Sequence, residues 1–322
     1  MNRRKFFVFL IFCLLFFAAG VLAVRLYKFK NIFPHETVSA LPDSLELLKN
    51  DQVTSLVLWL PQLSFLGNAQ KPPEILAQSA LVYDLTSQKV LYLKNPKVKL
   101  PMASLTKIMT AIIAIENPQK DDHYVVSSKD IVGEDSMGVT AGETYSLEEL
   151  LYGLFLHSGN DTAEVLATNF PKGRTGFITA MNDKAKSLGL TDTHFTNPTG
   201  LEGDGAQYTT SYDLLVMTKY ALEKFPLFDT VAATFDYHIP YTSTHKEYYL
   251  ENETNLLTSY PGVKGVKTGF TPEAGLCLVT YLDYHDHKII GVILNSGNRR
   301  QDMKELLDYA LKVQNITPPK HS

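Results

Sequence analysis

Pro101-Met102-Ala103-Ser104-Leu105-Thr106-Lys107-Ile108-Met109-Thr110 reads as the opening of a helix, because Ile108, Met109, Ile112, Ile113 and Ile115 continue it with apolar residues at helical spacing. Residues three apart on a helix share a face, so Ser104 and Lys107 are expected side by side. A serine hydroxyl is a weak nucleophile until a base takes its proton. Lysine serves as that base where burial or a second cation holds its ammonium pKa down. The first helical turn also offers backbone N–H groups and the positive end of the helix dipole to developing negative charge. An N-capping serine beside a solvated lysine is the other reading. Since S-x-x-K arises by chance roughly once in a chain of this length, its meaning depends on what else the chain supplies.

With 322 residues the chain can hold one large domain or two small ones. Apolar content of 45% and charged content of 20% are ordinary for a globular protein, and a net charge of -4 gives no global basic field. A nucleic-acid partner is therefore not expected. Cys13 lies in the N-terminal apolar run and Cys277 far along the chain, which excludes a disulfide in the soluble part and a cysteine-based metal site. His285 and His287, between two apolar runs, read as a polar hairpin turn and not as a metal pair. Neither a metal nor a cofactor is expected.

Phe6 to Val24 is continuously apolar or small, with Arg3, Arg4 and Lys5 before it and Arg25, Lys28 and Lys30 after it. Its length suits a membrane span and exceeds a signal-peptide core. Residues 1–30 are thus expected to anchor the chain in the cell membrane, with the remainder on the extracytoplasmic side. Cleavage after Val21-Leu22-Ala23, giving a secreted form, is the alternative. Residues 31–73, punctuated by Pro34, Pro42, Pro61, Pro72 and Pro73, read as a connector. Within them Val53 to Leu66 is apolar but too short and too broken by Pro61 to cross a bilayer. The folded domain is expected over 74–316, followed by a tail over 317–322.

Inside that domain, Ala80 to Asp84 and Val90 to Leu93 read as a hairpin. Ser146 and Glu149 form a capping box ahead of Leu147, Leu150, Leu151, Leu154 and Phe155. Thr162 to Asn169 and Ile178 to Leu188 read as helices, the second stopping at Gly189. Asn197-Pro198-Thr199-Gly200 signals a turn, and Thr210 with Asp213 opens a helix through Leu222. Gly275 to Tyr281 and Lys288 to Leu294 read as paired strands, and Gln301 to Val313 as a closing amphipathic helix. Strands at both ends and helices between them predict an α+β fold in which early and late strands share one antiparallel sheet.

Two further motifs bear on Ser104. Ser158-Gly159-Asn160 is expected on a loop between two helices, where a hydroxyl can pass a proton and an asparagine amide can hold a peptide carbonyl. A helix-terminating turn is the plain alternative. Lys267-Thr268-Gly269 is expected just before a strand, where a lysine and a threonine hydroxyl bind a carboxylate and glycine admits substrate backbone. S-x-x-K, S-x-N and K-T-G in this order form a set found in penicillin-binding proteins and class A β-lactamases.

The chain resembles the low-molecular-weight penicillin-binding proteins that are serine D-alanyl-D-alanine carboxypeptidases. The resemblance is carried by Pro101 to Thr110, Ser158-Gly159-Asn160-Asp161-Thr162-Ala163, Phe195-Thr196-Asn197-Pro198-Thr199-Gly200-Leu201, and Gly265 to Gly275. It implies the β-lactamase/transpeptidase-like fold, a five-stranded antiparallel sheet flanked by helices plus a mainly helical lobe. It implies that Ser104 attacks the penultimate D-alanine carbonyl of a peptidoglycan pentapeptide, with Lys107 as general base. Ser158 and Lys267 would relay the proton to the leaving D-alanine, Asn160 would orient the substrate amide, and Thr268 would bind the terminal carboxylate. Gly269 would admit substrate backbone, and the N–H groups of Ser104 and Phe270 would form the oxyanion hole. β-Lactams would acylate Ser104 and leave slowly. Family members have an arginine about seven residues before a leucine pair in the closing helix, and counting back from Leu306-Leu307 selects Arg299, with Arg300 as fallback. Many members also carry a C-terminal β-rich domain with a membrane-binding helix. Here the chain ends at Ser322, and the N-terminal segment is expected to take over anchoring. A serine β-lactamase and a β-lactam- or peptidoglycan-binding module without turnover are the competing readings.

Overall fold

The computed structural model describes residues 71–254 and 256–321. The expected anchor over 1–30 and all but the last residues of the expected connector lie outside the described residues.

Five strands form one antiparallel sheet: β1 (Ser79–Asp84), β2 (Lys89–Lys94), β7 (Val263–Thr271), β8 (Gly275–Tyr284) and β9 (His287–Ser296), in the order β2-β1-β9-β8-β7. The last three form a meander, and the early hairpin docks on β9 with Leu81 opposite Val292. Every residue of β1 is buried, as befits a strand paired on both edges and covered on both faces. His285 and Asp286 both take positive φ in the two-residue turn between β8 and β9, and His287 Nδ1 lies 2.8 Å from Asp84 Oδ2.

Helices cover both faces. On one side α8 (Arg299–Val313) lays Met303, Leu306, Leu307, Ala310 and Leu311 against Ile289 and Ile293. On the other lies the helical lobe, built on α1 (Lys107–Glu116), α2 (Leu147–Leu156), α3 (Asn160–Thr168), α4 (Gly173–Ser187), α5 (Ser211–Lys224) and α6 (Pro226–Ala233). Between these run two short ribbons, β3 (Tyr124–Val125) with β4 (Thr144–Tyr145) and β5 (Asp236–Ile239) with β6 (Tyr248–Glu251), and a single turn, α7 (Leu256–Ser259). Apart from its last two residues, α1 is buried all round, the signature of a central helix. Lys107 is thereby carried into the interior.

Local signals act where the chain offers them. Ser146 accepts from Glu149 N at 3.3 Å while Glu149 Oε2 accepts from Ser146 N at 2.8 Å, closing the capping box of α2. Thr210 Oγ1 caps α5 through Asp213 N at 3.0 Å. Three expectations need correction. Lys267-Thr268-Gly269 lies inside β7 and not ahead of a strand, because two lysines and two glycines hide the strand's alternation. Asn160 belongs to the first turn of α3, so only Ser158 and Gly159 remain in the linker. The helix expected from Ile178 begins at Gly173, its first turn masked by two glycines and an arginine.

The β9–α8 corner is fixed by Asp302, whose buried carboxylate accepts from Leu76 N at 3.0 Å, Ala77 N at 2.8 Å and Ser296 Oγ at 2.6 Å. Asp302→Ala leaves these donors unmatched and is expected to cost about 2–4 kcal/mol in urea unfolding. A loss below about 0.5 kcal/mol contradicts a structural role for this carboxylate.

Candidate active site

A 3₁₀ turn, Ala103–Thr106, leads into α1 and presents Ser104 at its second position. Ala103 is left-handed, with φ of 49°, a conformation an alanine keeps only under constraint. Thr106 Oγ1 donates to Ala103 O at 2.9 Å from within the turn. From outside, Gly200 packs so closely that a Cβ there would lie 2.0 Å from Ala103 O and 2.9 Å from Ser104 N. Gly269 of β7 closes the other side, where a Cβ would lie 3.1 Å from Ser104 N. Ser104 is thus held between two glycines, with 9% of its surface left open.

Lys107 is fully buried, and its Nζ lies 2.9 Å from Ser104 Oγ, 2.6 Å from Asn160 Oδ1 and 2.8 Å from Thr199 O. All three partners are uncharged. Burial therefore pushes the ammonium well below its ordinary pKa, and Lys267 pushes it further, while Asp135, Glu253 and Asp161 act the other way from a distance. A neutral amine has two N–H bonds and one lone pair. Asn160 Oδ1 and Thr199 O accept the two N–H bonds, which leaves the lone pair for the hydroxyl proton of Ser104. The arrangement turns a buried lysine into a base aimed at a serine.

Asn160 is fixed in turn: its Nδ2 donates to Glu134 O at 2.7 Å and its backbone N to Asp135 O at 2.7 Å. Asp161 accepts from Met137, Gly138 and Val139 N at 2.8–3.0 Å and from Ser136 Oγ at 2.5 Å, so the loop over α3 is pinned beside Asn160. Ser158, two residues before Asn160, is buried with φ of 53°.

Across the cleft Lys267 is buried, and its Nζ donates to Thr268 O at 3.2 Å. Burial lowers its pKa to about 8, with Arg299 adding to the effect against Glu253 and Asp135. Thr268 is buried beside it, whereas the Phe270 side chain is exposed. Arg299, at the start of α8, donates from Nη1 to Gly269 O at 2.8 Å and to Cys277 O at 3.4 Å. It reaches the site through the backbone of β7 and β8.

Ser104, Lys107 and Asn160 are thus in direct contact, Gly269 packs on Ser104, and Arg299 holds Gly269. Sequence reasoning gave no role to Thr199, Asn197 or Gln207. Asn197 Oδ1 accepts from Gly200 N at 2.8 Å and Thr199 N at 3.2 Å, which aims the Thr199 carbonyl at Lys107. Gln207 accepts from Thr196 N at 2.9 Å and donates to Thr106 Oγ1 at 3.1 Å, tying this loop to the nucleophile turn. The Asn-Pro-Thr-Gly turn signal marked the segment, but nothing local told which carbonyl it delivers.

The fold, with a serine and a buried lysine in contact at the start of α1, is of the transpeptidase-like class. The family model described as D-alanyl-D-alanine carboxypeptidase, peptidase S11, matches residues 67–298, and the chain belongs to that family. It is 33% identical over 251 residues to the D-alanyl-D-alanine carboxypeptidase DacF of Bacillus subtilis, covering 75% of this chain and 64% of that protein. To DacB2 of Mycobacterium tuberculosis it is 36% identical over 204 residues, covering 63% of this chain and 69% of the relative. The chain therefore spans about two thirds of the length of these curated relatives. The crystal structure of the Streptomyces K15 DD-transpeptidase superposes with a TM-score of 0.70 at 30% identity, over 76% of this chain and all of that one.

Gly200 and Gly203 both take positive φ, but only Gly200 touches the nucleophile turn. Gly203→Ala is expected to cost about 1–2 kcal/mol, the left-handed penalty alone. Gly200→Ala adds the clash with Ala103 and is expected to cost at least about 2 kcal/mol more in thermal or urea unfolding. Equal losses contradict the close approach as the reason for glycine.

Proposed function

We propose that this chain is a serine D-alanyl-D-alanine carboxypeptidase that removes the terminal D-alanine from peptidoglycan stem peptides. The observation that carries the reading is the fully buried Lys107 amine 2.9 Å from Ser104 Oγ, with only uncharged acceptors beside it. Lys107 takes the hydroxyl proton as Ser104 adds to the penultimate D-alanine carbonyl. The oxyanion forms against the N–H groups of Ser104 and Phe270. The proton passes through Ser158 and Lys267 to the amine of the departing D-alanine, and water then hydrolyses the ester on Ser104. Thr268 binds the terminal carboxylate in the field of Lys267 and Arg299. β-Lactams acylate the same serine.

A class A β-lactamase activates the deacylating water with a glutamate. None of the glutamates between Asp161 and Pro226 stands in the E-x-x-L-N sequence that carries that glutamate: Glu164 pairs with Arg174 at 2.8 Å, Glu223 pairs with Lys219 at 2.6 Å, and Glu202 lies against the Thr271–Gly275 turn, accepting from Glu273 N at 2.9 Å. The penicilloyl-enzyme is accordingly expected to last minutes or longer, and rapid penicillin turnover would favour the β-lactamase reading. The apolar run Phe6 to Val24 supports anchorage in the cell membrane with the domain on the extracytoplasmic side. Retention in membranes through a salt wash and release by detergent tests this part, and a soluble form beginning near Val24 contradicts it.

Ser104→Ala is expected to abolish both D-alanine release from a diacetyl-Lys-D-Ala-D-Ala substrate and covalent labelling by fluorescent penicillin. Labelling that survives would place the nucleophile elsewhere. The Lys267 pKa of about 8 sets the alkaline side of the profile. Its ammonium is lost as pH rises through that value, so kcat/KM should fall above it. Arg299→Ala removes a repelling cation, raises the Lys267 pKa, and should move that limb to higher pH. A limb that stays in place or moves down excludes the coupling.

A further inference from the structure

The direction of the substrate follows from the proposed roles, and the inference rests on them. With the terminal carboxylate at Thr268 and the scissile carbonyl at the N–H of Phe270, the peptide runs antiparallel to β7. Its acyl half leaves past Phe270. A strand advances about 3.3 Å per residue, so the residue preceding D-Ala-D-Ala lies opposite the turn from Thr271 to Gly275.

Glu202 stands at that end of the cleft. It follows Gly200 by two residues, and Gly200 packs on Ala103 and Ser104. Its Oε1 accepts from Glu273 N at 2.9 Å, and the Thr271 hydroxyl donates to the same carboxylate. These two bonds, the Thr271 hydroxyl first, hold its carboxyl below the ordinary carboxylate range, so it is charged at neutral pH. Its side chain is exposed. The two carboxylates nearest to it in sequence have cations: Arg174 holds Asp204 at 2.7 Å, and Lys99 lies 3.2 Å from Asp192. Among the described residues no lysine, arginine or histidine forms an ion pair with Glu202.

We propose that Glu202 is a specificity determinant that recognises a free amino group on the side chain of the residue preceding D-Ala-D-Ala. The favoured substrate class is a stem peptide whose diamino acid still carries its unacylated amine, that is, one not yet crosslinked through it. A carboxylate accepts at about four lone-pair positions. The N–H of Glu273 and the hydroxyl of Thr271 use two, and the rest face solvent. A lysine-length side chain on the preceding residue reaches this carboxylate from the cleft.

A brace between two loops would make the same two bonds without recognising an amine. Glu202→Gln separates the roles, because an amide keeps an acceptor oxygen and the shape but loses the charge. The reading is the ratio of kcat/KM for D-alanine release from acetyl-Lys-D-Ala-D-Ala with a free side-chain amine to that from the diacetyl peptide. The wild-type enzyme should prefer the free amine about three- to tenfold at low ionic strength. Added salt should lower that preference, and Glu202→Gln should bring it within about twofold of unity. Equal efficiency on both peptides in the wild type, or an undiminished preference in Glu202→Gln, overturns the inference alone. Release from neither peptide overturns the carboxypeptidase reading and this inference with it.

Discussion

Lys107 sits at full burial with no carboxylate in contact, and much of the site answers to that constraint. An ammonium in such a place loses its hydration without regaining an opposite charge, which costs several kcal/mol in a protein interior. Neutrality is the way out. It requires acceptors for two N–H bonds and a third partner with a proton to give. The Asn160 amide, the Thr199 carbonyl and the Ser104 hydroxyl fill these three places. A carboxylate in any of them would restore the ammonium and remove the base.

Each partner comes from a separate part of the chain, and each has its own support. Asn160 depends on the loop pinned by Asp161. Thr199 depends on the turn organised by Asn197. Ser104 depends on a left-handed alanine confined by Gly200 and Gly269. β7 brings a second buried lysine across the cleft, and Arg299 fastens that strand from the start of α8. The corner holding Arg299 is itself tied by Asp302 to the chain at Leu76 and Ala77. The sheet thus serves the site by delivering one strand edge to a fixed distance from the nucleophile turn.

Elements with strong local signals could be read from the sequence. The capping box at Ser146, the cap at Thr210, the β8–β9 hairpin and the apolar run after Lys107 each declare themselves within a few residues, and together they yield the α+β arrangement. β7 did not, because Lys264, Gly265, Lys267 and Gly269 replace the apolar alternation of a strand with residues the site needs. The ribbon of β5 and β6 was equally hidden, its four-residue strands rich in charged and tyrosine side chains. For the site, spacing placed Ser104 beside Lys107, and motif order placed Asn160 and Lys267 with them. What sequence does not encode is a backbone carbonyl as a ligand. Thr199 acts through such an atom, and only the folded loop reveals it. Arg299 was picked by resemblance, yet its contact with the Gly269 carbonyl is a matter of tertiary packing.

The relatives of this chain include carboxypeptidases, and its fold superposes on a transpeptidase. In the proposed reaction the neutral lysine serves acylation, the step that comes before any choice of acyl acceptor. Site-specific ¹³C titration of Lys107, set beside the pH dependence of Ser104 acylation by a labelled penicillin, tests it most directly. One common pKa, well below that of an exposed lysine, is predicted for both curves. A Lys107 that remains an ammonium throughout the pH range of rapid acylation would contradict the account.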